Sequence, residues 1–221
     1  MQKNNDFDFE SILSNKKNVS SQIEKETSKF DDLTALLSKE RKIDFELQKQ
    51  LTSFDKNQVL IKCETINNHD VLIALSKKVI ASGKKPIIVL TSINFKTANE
   101  LFTEAKVDLN KIFLLDTVSK NLVNVPEKNN LKFIDSLRSL TQIQIKVLDF
   151  IEENKNVVII FDSINVLELY HSQRIIYKFV YALTKILHKK KLSGIFILCK
   201  EELIPKLGQF FDDIIQIDGV E

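Results

Sequence analysis

A chain of 221 residues, 43% hydrophobic and 28% charged, has material for one substantial buried core and an appendage. Thirty-two Lys and Arg against 30 Asp and Glu leave a net charge of only +2, so composition gives no ground for nucleic acid or an anionic membrane as a partner. Four glycines, Gly83, Gly194, Gly208 and Gly219, are little material for phosphate-cradling loops, where backbone must approach a ligand without a Cβ.

The opening MQKNNDFDFES lacks the basic start and apolar core of a signal peptide, and no apolar run approaches the length of a membrane span. A cytoplasmic protein is expected. Residues 1–56 contain neither Gly nor Pro, and their apolar residues are spaced among charges. Asn15 to Lys29 is almost wholly polar. Ser28-Lys29-Phe30-Asp31 has capping-box spacing, and Phe30, Leu33, Leu36 and Leu37 then fall on one helical face. Asp44 is placed to cap a second helix, with Phe45, Gln48, Leu51 and Phe54 on a face. The expectation is a helical, partly flexible extension over 1–56 that packs on its own domain or on a partner, since periodicity does not separate the two.

From Gln58 to the end, 57–221, strands and helices alternate. Gln58–Cys63 reads as a strand. Asp70–Ser82 reads as a helix, with Asp70 at its N-cap and Gly83 at its stop. Pro86–Thr91 is an apolar run opened by proline, as in a buried parallel strand. Asn94 or Thr97 starts a helix carrying Ala98, Leu101, Phe102 and Ala105. Lys111–Leu115 is the next strand, and a polar excursion covers Lys120 to Asn130. A long helix is expected over Leu131–Glu153, with Ile134, Leu137, Leu140, Ile143, Val147, Leu148 and Ile151 inward. Asn156–Phe161 is a strand, and Ser172 caps a helix striped by Ile175, Ile176, Phe179, Val180, Leu183 and Leu187. Gly194–Cys199 is a strand, Glu201–Phe211 a helix interrupted near Pro205, and Asp213–Ile217 a final strand. Strands apolar on both faces between helices predict a three-layer α/β domain with a mostly parallel sheet flanked by helices. Cys63 and Cys199 fall in apolar strand runs and read as buried thiols in a reducing cytoplasm.

In such sheets ligands gather beyond the carboxyl ends of the strands, so the residues to inspect are Glu64 to His69, Ser92 to Asn94, Asp116 and Thr117, Asp162 and Ser163, and Lys200 and Glu201. Here NVVIIFDSINVL resembles the Walker B strand of RecA-like ATPases, particularly the KaiC/RadA-like group. SGIFILCKEE followed by QFFDDIIQIDG resembles that group's last two strands, and VDLNKIFLLDTVS the strand and turn before its long helix. The resemblance covers roughly 57–220 and implies a RecA-like P-loop NTPase fold.

The same resemblance exposes what is missing. In the frame G-x-x-x-x-G-K-[ST], the first glycine is Glu64, the second His69, the lysine Asp70 and the hydroxyl residue Val71. An acid at a helix N-terminus takes the donors and the positive dipole end that a phosphate would use. Exchanging lysine for aspartate is a swing of two charges, each interaction worth on the order of kcal/mol at a few ångström. Where KaiC-like ATPases place a glutamate after the second strand, this chain has Ser92-Ile93-Asn94. Asp162 matches the Walker B position. It would hold magnesium through water in an ATPase, but without a P-loop the preferred role is to accept hydrogen bonds from loop amides.

His69, His171 and His188 lack metal-ligand spacing, and His171 reads as a surface-loop residue. Lys185 to Lys191, KILHKKK, suits the negative end of a helix. Ser163 has no nucleophile constellation about it. No catalytic residue, metal or cofactor is expected. Were a nucleotide to bind, the contacts would be Asp162, Ser163 and His69, with Asp162 toward magnesium. The leading reading is a pseudo-ATPase of KaiC/RadA-like type, a regulatory scaffold that binds a protein partner, either an active KaiC-like ATPase or itself. The alternatives are an unconventional nucleotide-binding ATPase or sensor using Asp162, and a DNA-associated accessory factor resembling recombinase paralogues, with Lys189, Lys190 and Lys191 as its contacts. Nucleic acid is not the expected partner.

Overall fold

A computed structural model describes residues 39–55, 57–63, 68–119 and 126–217. The chain divides into two compact units, Met1–Lys42 and Ile43–Glu221. The helix face predicted at Phe30, Leu33, Leu36 and Leu37, with its cap at Ser28, lies outside the described residues, as do Glu64 to Asn67 of the loop after the first strand.

Among the described residues, seven strands form one sheet. They are β1 (Gln58–Cys63), β2 (Lys85–Leu90), β3 (Phe113–Asp116), β4 (Leu131–Phe133), β5 (Val157–Phe161), β6 (Ser193–Leu198) and β7 (Asp213–Ile217), in the order β4-β3-β2-β5-β6-β1-β7. Every pairing between them is parallel. The helices are α1 (Lys39–Gln50), α2 (Asn68–Ala81), α3 (Phe95–Glu104), α4 (Leu140–Glu153), α5 (Gln173–Lys190) and the single turn α6 (Ile204–Leu207).

Alternation of side chains along each strand splits the core in two. Val59, Ile61, Ile88, Leu90, Ile160 and Ile197 point to the face covered by α2 and α3, where Val71, Leu75, Ala98 and Phe102 meet them. Leu60, Ile87, Val89, Ile159, Phe161 and Phe196 point to the face covered by α4 and α5, where Ile143, Val147, Ile176, Phe179 and Leu183 meet them. Phe161 and Phe196, on neighbouring strands, stack with ring centroids 5.0 Å apart. This is the three-layer arrangement expected from strands apolar on both faces.

The layers follow from handedness. From β1 to β2 to β3 the chain steps toward one edge of the sheet, with α2 and α3 on one face. From β4 to β5 to β6 it steps back toward the other edge, with α4 and α5 on the opposite face. Right-handed crossovers require this exchange of face on reversal. At β2/β5 and at β1/β6, neighbouring strands therefore send their next connections to opposite faces, and these are the sheet's two crevices.

Several expected elements differ: the strand expected at Lys111–Leu115 is Phe113–Asp116, and the helix expected over Glu201–Phe211 is α-helical only over Ile204–Leu207, Pro205 included, between 3-10 turns. The helix expected over Leu131–Glu153 begins only at Leu140, and Leu131–Phe133 is strand β4 at the sheet edge. Its three residues alternate buried, half-buried, buried, too short a run to stand out against the helical spacing that continues through Ile134 and Leu137. Asp44 lies inside α1 rather than at its start, and the buried positions are Ile43 and Leu47, followed by Leu51 and Phe54, instead of a face through Phe45 and Gln48. Those four apolar side chains belong to the same core as Val71 and Leu75.

Gly194 in β6 is required by packing. A Cβ there would fall 2.5 Å from Gln58 Oε1 and 2.7 Å from Leu187 Cδ1. Among the described residues no helix is long and apolar enough to cross a membrane.

Candidate functional site at the strand ends

β2 ends at Leu90 and β5 at Phe161, so Thr91-Ser92 and Asp162-Ser163 emerge side by side at the first crevice. Asp162 is completely buried. Its Oδ1 accepts from the Thr91 amide at 2.7 Å and contacts the Thr91 hydroxyl. Its Oδ2 accepts from the Ser92 amide at 3.0 Å and from the Ser92 hydroxyl at 2.9 Å. Two amides and two hydroxyls from one turn thus converge on one carboxyl group. Ser92 Oγ, in turn, accepts from the Asn68 side-chain amide at 3.4 Å, which ties the first residue of α2 to the cluster.

Proton bookkeeping at Thr91 is informative. Its hydroxyl oxygen lies against Asp162 Oδ1 and also 2.6 Å from the Ser163 carbonyl oxygen. One hydroxyl proton serves only one of these acceptors, and a proton on Asp162 Oδ1 would complete the other contact. Burial raises the Asp162 pKa above the ordinary carboxylate value, while the hydrogen bonds from Thr91 and Ser92 pull it back.

Asp116, at the end of β3, is also fully buried. Its Oδ2 accepts from the Phe95 amide at the start of α3, at 2.6 Å, and from the Ser119 hydroxyl. Its Oδ1 accepts from the amides of Val118 and Ser119 at 2.7 and 2.9 Å. Asp116 therefore closes the turn after β3 and anchors the helix that follows β2. Asn94 caps that helix, accepting from the Thr97 amide at 2.9 Å. Ser163 donates to Asn165 Oδ1 at 2.9 Å, and the same oxygen accepts from the Cys199 amide at 3.0 Å.

The remaining sequence candidates scatter. His69 is the second residue of α2 and half-buried. Asp70 lies within the first turn of α2, which starts two residues earlier than the capping pattern indicates, and Val71 is fully buried. Acid in the first turn still suits the positive end of the helix. His171 is half-buried, with Nε2 2.9 Å from the Leu137 carbonyl oxygen. His188, Lys189 and Lys190 form the exposed last turn of α5, and Lys190 pairs with Glu152 at 3.6 Å. Among the described residues no group of three or more His, Cys, Asp or Glu is arranged to hold a metal ion. Asp162, the one carboxylate in Walker B position, lies against two amides and two hydroxyls of the turn after β2.

Sequence reasoning did not reach Thr91 as the partner of Asp162. The two are 71 residues apart, and only the β2/β5 pairing joins them. It also did not reach a groove of about 470 Å³ on the outer side of α5, lined by Gln173, Arg174, Tyr177, Lys178, Tyr181, Lys206 and Phe210. Tyr181 packs on Phe210 with ring centroids 5.3 Å apart, and the ammonium groups of Lys185 and Lys206 lie over the Tyr181 and Tyr177 rings. The signal was present as Tyr177 and Tyr181 one helical turn apart on the polar side of the stripe.

Comparison with known proteins places the fold. The chain has the RecA-like fold of KaiC type. A KaiC-like protein from the hyperthermophilic archaeon Pyrococcus horikoshii OT3 superposes with a TM-score of 0.58 at 13% identity, over 77% of this chain and 75% of that one. An uncharacterized protein of Pyrococcus horikoshii, crystallised with an unknown peptide, superposes with a TM-score of 0.54 at 11% identity, over 77% of this chain and 81% of that one. No protein-family model and no curated protein matches the sequence.

Proposed function

We propose that this protein is a non-catalytic, KaiC-type scaffold that works by binding another protein. The observation that carries the reading is the engagement of the two strand-end aspartates: Asp162 and Asp116 accept from amides and hydroxyls of the chain itself. An ATPase needs such a carboxylate open toward magnesium and a basic residue at the start of the helix after the first strand. This chain offers Asp70 at that helix start.

The outer face of α5 supports the second half of the reading. Tyr181 is 44% exposed and lines the groove with Arg174, Lys178 and Lys206. Aromatic residues with arginine are the composition of protein-binding hot spots. Their positive surround fits an acidic protein segment that brings its own apolar side chains. A neighbour of the same fold that was crystallised with a peptide is in keeping with this use of the architecture. An active KaiC-like ATPase or a second copy of the chain are the partners to test first.

The experiment is thermal unfolding of the full chain with and without millimolar Mg-ATP, since any ligand of the native state must raise its stability. No change in melting temperature is expected, and a clear rise overturns the non-catalytic reading. Binding to an intact KaiC-like ATPase, measured by co-elution of the purified proteins, tests the partner separately.

A further inference from the structure

The second crevice, between β1 and β6, holds the chain's two cysteines. β1 and β6 pair in register from Gln58↔Gly194 to Lys62↔Leu198. One step further in the same register brings Cys63 opposite Cys199. Both side chains pack on the α2 side of the sheet. Their sulfur atoms are 3.8 Å apart, and both are thiols. Neighbouring strands lie about 4.8 Å apart, inside the Cα separation of roughly 4.4–6.8 Å that a disulfide spans. An approach of less than 2 Å, roughly, takes the sulfurs to the bonded distance of about 2.05 Å.

The two thiols differ in access. Cys63 is buried, paired on its other side to Ile217 of β7, whereas Cys199 is partly exposed just beyond β6. That asymmetry is what a two-step exchange needs: one sulfur that meets the reagent and one held behind it to resolve the adduct.

We propose that Cys63 and Cys199 form a modification site, a reversible intramolecular disulfide made by exchange with low-molecular-weight disulfides such as oxidised glutathione. The Cys199 thiolate attacks one sulfur of the small disulfide, forming a mixed disulfide and expelling one small thiolate. The Cys63 thiolate then attacks Cys199 Sγ, closing the bridge and expelling the second. The two protons shed by the protein thiols end on the two released small thiols. The protein is oxidised by two electrons and the small disulfide reduced by two. The bridge joins the carboxyl ends of β1 and β6 across the crevice, independently of whether the neighbouring β2/β5 crevice binds anything.

The test uses the folded full chain in buffers of oxidised and reduced glutathione, quenched with an alkylating agent and read by intact mass and peptide mapping. The expected product has lost two hydrogens, carries no adduct, joins the Cys63 and Cys199 peptides and reverts with dithiothreitol. In Cys63→Ser a stable glutathione adduct at Cys199 is expected to accumulate. In Cys199→Ser, Cys63 is expected to stay a thiol for as long as the chain is folded. The inference is overturned if the wild-type protein accumulates the Cys199 adduct with Cys63 still alkylatable, if bridges form only between molecules, or if the internal bridge appears only after denaturation. The wild-type mapping decides the matter even where a serine variant does not fold.

Discussion

At the strand ends Asp162 and Asp116 are fully buried, and their oxygens meet amides and hydroxyls of the chain itself. On α5, Tyr181 stands about half exposed, in a groove it shares with Arg174, Lys178 and Lys206. The two aspartates of the first region are hydrogen-bonded within the chain, although the neighbouring Asn68 Oδ1 is buried without a partner among the described residues, and the second region is apolar and uncovered. Position in a fold points to the strand ends as the place of function, but chemistry distinguishes groups that have spent their bonding capacity from groups that have not. Under the proposed function, the exposed aromatic cluster and its cations are the surface that would meet a partner.

The sharpest way to break that contrast is Asp162→Ala. It strips the acceptor from the buried Thr91 amide and from the partly buried Ser92 amide, and an unsatisfied buried amide costs about 1–3 kcal/mol, so a loss toward the upper end of that range in urea unfolding is expected. Asp162→Asn keeps the shape and one acceptor, but its NH2 faces a backbone N–H of Thr91 or Ser92 that it cannot accept from, so it should cost less than Asp162→Ala without being neutral. The sign of the pH effect follows from burial, which raises the folded-state pKa. The contribution of Asp162 is full below the ordinary carboxylate pKa and is lost as pH rises through the raised folded value. That slope should vanish in Asp162→Asn. A neutral Asp162→Ala would mean the crevice is not held shut by this residue.

Gly194→Ala comes next, because it tests the sheet beneath the α5 face. The added methyl meets Gln58 Oε1 and Leu187 Cδ1, and overpacking of this kind costs about 1–3 kcal/mol. An unchanged denaturation midpoint would show that β6 and α5 separate easily. Tyr181→Ala should act in the opposite sense to Asp162→Ala. Stability should stay within about 0.5 kcal/mol of wild type, as for surface substitutions generally, while affinity for a protein partner falls. A large loss of stability would make the aromatic cluster structural too.

How much of this could be read before the coordinates depends on the range of the interaction. β1, β2, β5, β6 and β7 announce themselves because each is a local apolar run, and Asn94 caps α3 through a contact only three residues long. β4 does not, since three residues carry too little periodicity and the helix-like spacing around them dominates. Asp162 is visible as a residue after an apolar strand, but its donors are not, because strand order is a global property. The same holds for Cys63 and Cys199: each sits in a readable strand, and only the β1/β6 register turns two isolated thiols into a pair.

The smallest effect is expected at the margin between the two regions, where Glu168 joins Lys200 at 2.8 Å and accepts from Gln173 of α5 at 3.0 Å. The hydrogen bond from Lys200 is the main cause holding the Glu168 carboxyl below the usual carboxylate range, with Gln173 adding to it against a partial burial. Lys200 is raised in return, chiefly by the same bond. A depressed acid stabilises the fold above its unfolded pKa and loses that contribution as pH falls through the folded value, whereas the raised lysine's contribution is present below its unfolded pKa and lost as pH rises through the folded one. Glu168→Gln should therefore lower the denaturation midpoint slightly at neutral pH and not at all in strong acid, and added salt should shrink the difference, since the pair is partly exposed. Equal midpoints at neutral pH would show that solvent screens the pair completely. A difference that persists in strong acid would instead assign the effect to packing of Glu168 beside Tyr177 and tie the edge of the α5 groove to the core.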